Sequence, residues 1–167
     1  MNIKEYVKNY REDDELEIMF AWNGKHANGF EDENFKFRRE VLDYFKSHKG
    51  TFSVSLIAAL YDAETEFAKE AWGVNPVVSL LAQELLERGR EVYASTYLKV
   101  WGRGMDAYIQ SMRIELSKEC INDLINYSKS RKENDDFPNK EQAELFLKFL
   151  EFKLENIDDF KDFNLNF

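Results

Sequence analysis

Only two prolines, Pro76 and Pro138, occur in this chain of 167 residues, and seven glycines are its other helix breakers. Proline removes a backbone donor and clashes with the preceding turn, while an interior glycine costs a helix ~1 kcal/mol. Stretches free of both can run long, and in this chain they are dominated by leucine, glutamate, lysine and alanine, which favour helix. No period-two alternation persists, the best being Thr51 to Ser55. The expectation is an all-α chain: a single compact domain of about eight short-to-medium helices arranged as irregular helical hairpins.

Local signals set the boundaries. Ile3 to Trp22 splits at the acidic run Glu12-Asp13-Asp14-Glu15 and continues through Leu16, Ile18, Met19 and Phe20. Asn23-Gly24 and Asn28-Gly29 bracket a loop. A second helix spans Glu31 to Ser47 and a third Ser53 to Trp72, with Leu56, Leu60, Ala63, Phe67 and Ala71 on one face. Asn75-Pro76 reads as a cap followed by proline at the first helical position. The helix it starts meets a break at Gly89, and a fifth runs from Arg90 to Trp101 with Tyr93, Tyr97 and Trp101 four apart. A short sixth, Met105 to Arg113, carries Tyr108, Ile109 and Met112 on one side, and Ser117 caps a seventh through Cys120, Ile121, Leu124 and Ile125. Residues 128–138 read as a mobile polar loop, and Asn139 with Gln142 as a capping box opening an eighth helix lined by Phe146, Phe149 and Phe152. The tail, 156–167, mixes phenylalanines with acids, and its apolar content favours docking.

Each tryptophan is followed by a glycine within two residues: Trp22-Asn23-Gly24, Trp72-Gly73 and Trp101-Gly102. This pattern predicts helix exits, with the glycine in the left-handed region and the ring packing the last turn.

Two charged side chains stand where solvent exposure does not explain them. At about 100° per residue, Leu56, Leu60, Phe67 and Ala71 flank Glu64 on one side and Ile57, Tyr61, Ala68 and Trp72 on the other. On the second helix Arg38 falls between Val41 and Phe45 on one flank and Leu42 and Phe35 on the other. Burying either charge alone is costly, so the two are expected to meet as a bidentate pair, structural or functional.

Chemistry-bearing motifs are otherwise missing. His26 and His48 have no second ligand at zinc spacing, and Cys120 is the only cysteine. No nucleophile elbow, phosphate loop or dinucleotide fingerprint occurs. Glu31-Asp32-Glu33 and Asp135-Asp136 lack the alternating ligands and central glycine of a calcium loop. No catalytic residue, metal or cofactor is implied.

Thirty-two acids against 23 bases give a net charge of −9. That sign disfavours direct nucleic-acid binding and favours a basic protein as partner. Met1 to Glu15 carries no apolar signal region, and the longest purely apolar run, Leu56 to Tyr61, is far short of the ~18 residues a membrane span needs. With no cysteine pair, the expectation is cytoplasmic, with no membrane association. The functional expectation is a non-catalytic acidic protein-binding module, an inhibitor or immunity-type antidote that neutralises a basic, nuclease-like protein by charge mimicry. Its expected contact residues are Glu12, Asp13, Asp14, Glu15, Glu31, Asp32 and Glu33. Two alternatives stand beside it: a helical scaffold binding a peptide on an aromatic surface, and an enzyme using buried Glu64 with Arg38.

Overall fold

The Asn75 side chain accepts from the Val77 N–H at 3.2 Å, opening the longest helix at the predicted place. The computed structural model describes residues 2–71, 73–133 and 140–157. They form α1 (Ile3–Asn9), α2 (Phe35–His48), α3 (Val54–Ala71), α4 (Val77–Trp101), α5 (Met105–Met112), α6 (Lys118–Glu133) and α7 (Lys140–Glu155). Short 3-10 turns span Glu12–Glu17, Ala27–Gly29 and Lys49–Thr51. Among the described residues the only β pairing is one isolated bridge, Trp22 to Asp32, so the fold is all-α. No described helix is long and apolar enough to cross a membrane.

The neighbours α3 and α4 form the centre, with α5, α6 and α7 packed on α4 and α1 on α2. Where α3, α4, α5 and α7 converge, the Tyr61 and Tyr97 rings stack at 5.8 Å, and Trp101 meets Tyr97 at 5.5 Å and Phe146 at 5.7 Å. Both buried phenols are satisfied through Ser111: Tyr61 pairs with its Oγ at 2.7 Å and Tyr97 donates to its carbonyl at 2.8 Å. That keeps polar groups from being stranded in an aromatic core.

Several local expectations are corrected. The first segment does not continue to Trp22: the acidic run itself is a 3-10 turn that carries Leu16 on its exposed side, after which Ile18 is buried and Met19 faces solvent. Helix α2 starts at Phe35, not Glu31, because Asp32 is drawn into the bridge with Trp22. The glycine-exit idea fails on backbone angles. Gly102 follows the end of α4 at φ −95°, and Gly24, in the loop, is the only described glycine with positive φ. Gly102 matters through space: a Cβ there would stand 2.8 Å from the Gln142 amide of α7. Trp72 lies outside the described residues.

The break in α4 falls on Arg90, at φ 48° and ψ −139°, one residue past the glycine expected to make it. Gly89 stays helical and buried, and a Cβ on it would meet the Tyr93 ring at 2.7 Å. Counting α4 as two halves gives the expected eight helices among the described residues. Helix α6 runs through most of the stretch expected to be loop. Its buried stripe passes from Leu124 to Ser128, and Lys129 pairs with Glu151 of α7 at 3.2 Å. The capping residue Asn139 and positions 158–167 of the tail lie outside the described residues. Phe146 and Phe149 are buried, but Phe152 is exposed, because three-residue steps drift off a helix face within two turns. On α5 the buried residues are Ala107 and Ser111, and Ile109 faces outward.

Candidate functional site: a buried arginine node and an acidic ledge

Arg38 lies on the inner face of α2 and Glu64 on the inner face of α3, and neither is exposed. The Arg38 Nε donates to Glu64 Oε1 at 2.8 Å. The contact is single rather than bidentate, because the rest of the guanidinium fork is taken elsewhere. Its Nη2 donates to Asp32 Oδ2 at 2.5 Å, and Nη1 reaches the Ile18 and Met19 carbonyls at 3.2 and 3.4 Å. One side chain therefore fastens α2 to α3, to the loop before α2 and to the segment after the acidic turn.

Asp32 corrects the surface assignment. It stands between exposed Glu31 and Glu33 but is itself buried, its second oxygen accepting from the Ala21 and Asn34 N–H groups at 3.0 and 3.2 Å. Backbone bonds hold the loop in that position: Asn23 N–H donates to the Glu31 carbonyl at 3.0 Å and Glu33 N–H to Ala21 at 3.1 Å. No periodicity applies in such a loop, so three consecutive acids give no hint of which one turns inward.

Arg39 completes the charge balance. Its Nη1 is 3.6 Å from Glu64 Oε2, so two arginines face two carboxylates. Phe67 covers this group from α3. It lies 5.1 Å from Phe35, 5.9 Å from Phe30 and 6.1 Å from Phe20, with the Arg38 and Arg39 guanidiniums each 5.7 Å from its ring. Phe35 also sits under Arg39 at 4.7 Å. Rings over guanidiniums add cation–π attraction and exclude water, which strengthens the ion pairs beneath. Glu64 Oε2 and Arg39 Nε are buried without a hydrogen-bond partner.

The acidic run forms a separate feature. Its 3-10 turn is fixed by Asp14, whose Oδ2 accepts from the Arg11 N–H at 2.8 Å and whose carbonyl accepts from the Tyr6 hydroxyl at 2.9 Å. With Asp14 occupied in this way, Glu12, Asp13, Glu15 and Glu17 are left exposed, and none pairs with a cation among the described residues. Burial and the Tyr10, Asp14, Glu17 and Glu15 charges push the Tyr6 phenol well above its ordinary range. Asn34 links this turn to the second acidic run, its Nδ2 donating to the Leu16 and Met19 carbonyls at 2.7 and 3.0 Å. Glu31 and Glu33 are thereby held near the ledge.

The remaining candidates do not assemble into a reactive group. His26 packs on Trp22 at 4.8 Å and His48 on Tyr44 at 4.0 Å. Cys120 is buried, its thiol pushed up to about 12 chiefly by burial. Among the described residues no cluster of histidine, cysteine and carboxylates could hold a metal, and Asp135-Asp136 lies outside them. No protein-family model matches the chain, nor does any curated protein or solved structure.

Proposed function

We propose that this chain is a non-catalytic acidic module that docks a basic protein, acting as an inhibitor or immunity-type antidote would. The observation that carries the reading is the ledge: four exposed carboxylates on one 3-10 turn, with no cation paired to them among the described residues. Elsewhere the chain pairs its acids readily, as Asp62 with Arg103 at 2.8 Å and Asp123 with Arg90 at 2.7 Å. Unpaired like charges repel within a turn, and a basic partner removes that repulsion while speeding encounter. The Arg38 node supports the ledge by anchoring the segment that follows it. Glu64 suits a structural role better than a catalytic one, because a general base needs access to its substrate and this carboxylate is sealed. The half-exposed Phe20, Phe30, Phe35 and Phe67 cluster favours the second reading, a scaffold that takes a peptide on aromatics.

The test is affinity capture with the full chain against its E12Q/D13N/E15Q/E17Q variant, followed by salt titration of what is retained. A basic protein released by rising salt and not held by the variant supports docking through the ledge. Retention unaffected by salt or by the variant contradicts it.

A further inference from the structure

Beside the ledge lies a cleft of about 300 Å³ between the acidic turn, α3 and α4. Ala58 and Ala59 of α3 give it small, flat apolar surface, and Tyr10 and Tyr93 contribute rings. Glu12 and Glu15 stand at its acidic end without a paired cation, whereas Asp62, also in the lining, is already held by Arg103. Neither the Tyr10 nor the Tyr93 hydroxyl makes a hydrogen bond among the described residues. Burial, then the Glu15, Asp14 and Glu12 charges, push the Tyr10 phenol up to about 12, a sign of negative field reaching into the cleft.

We infer that this cleft receives one arginine side chain of the basic partner, its stem on Ala58 and Ala59 and its guanidinium against the tyrosines and the Glu12 and Glu15 carboxylates. This rests on the docking reading above. An aliphatic stem needs apolar surface, and a planar cation gains both from an aromatic face and from carboxylates able to take its fork. Inner volume, rings and unpaired charge occur together at this place and match those three needs. Lys99, the cation in the lining, makes no ion pair among the described residues and opposes a second positive charge.

The experiment titrates the isotope-labelled full chain with a capped Gly-Arg-Gly peptide and with the same peptide carrying citrulline, a neutral isostere, following amide shifts by NMR. Arginine-dependent shifts at Tyr10, Ala58, Ala59 and Thr96 are expected, with affinity falling about fivefold in E12Q/E15Q and rising in K99Q. Thr96→Trp, which fills the cleft, should abolish the shifts while its melting curve reports an intact fold. Equal binding of the citrulline peptide, or shifts confined to other surfaces, would overturn the assignment. The two readings fail separately. Peptide binding in the cleft without any basic protein partner removes the docking function alone, and a basic partner held by the ledge with a silent cleft removes the arginine seat alone.

Discussion

Arg38 Nε meets Glu64 Oε1 at 2.8 Å with both side chains sealed from water, and the same guanidinium reaches Asp32 through its other arm. Substituting the arginine therefore strands two buried carboxylates at once. Arg38→Leu is expected to cost ~3–5 kcal/mol, since breaking a buried pair leaves uncompensated charge. Glu64→Gln keeps an acceptor for Nε and should cost less, ~1–2 kcal/mol. Urea unfolding of the three proteins checks the order, and an Arg38→Leu cost under ~1 kcal/mol would contradict the node.

Asp13 and Asp32 carry the same carboxylate in opposite surroundings. Asp13→Asn should leave stability within ~0.5 kcal/mol, or raise it by relieving repulsion on the ledge. Asp32→Asn removes a charge that Arg38 and two backbone N–H groups hold, and should lower stability by ~2 kcal/mol or more. Melting curves of the two variants distinguish ledge from node.

Arg90 sits in a backbone region that glycine occupies and other residues avoid. Its guanidinium holds Asp123 at 2.7 Å and the Glu87 carbonyl at 2.9 Å. Arg90→Ala loses those contacts and keeps the strain; Arg90→Gly loses them and releases it. The glycine variant is expected to be the more stable by ~1 kcal/mol, the reverse of ordinary helix preference.

Cys120 is buried, donates to the Leu86 carbonyl at 3.3 Å, and has its pKa raised from an ordinary 9.0 to about 12. In the unfolded chain the thiol deprotonates first, so between these values the native state binds more protons and stability falls as pH rises. Below pH 9 the contribution is constant. Cys120→Ala should flatten the decline in unfolding free energy that begins near pH 9, and a thiol reagent at pH 8 should label the native wild type far more slowly than the urea-unfolded chain.

The helical wheel placed Arg38 and Glu64 inward because both sit in long regular helices whose neighbours fix the phase. Asp32 lies in a loop held by the Trp22 bridge, where only tertiary contacts decide direction, so its partnership with Arg38 left no local trace. The same limit explains Arg90. A glycine next to it looked like the breaker, yet Gly89 is needed small and helical against Tyr93, which moves the break by one residue. The acids of Glu12–Glu17 were legible as a charged run, but the cleft beside them joins Tyr10, Ala58 and Tyr93, residues far apart in sequence.

The most direct measurement of the central claim is the affinity of the captured basic protein, by calorimetric titration at low and at physiological salt, for wild type, E12Q/D13N/E15Q/E17Q and Glu64→Gln. Docking through the ledge predicts that the fourfold variant loses about tenfold or more in affinity with an unchanged fold, while Glu64→Gln loses stability and binds as wild type wherever it is folded. Wild-type affinity in the fourfold variant, or binding abolished by Glu64→Gln in a folded protein, would contradict the account.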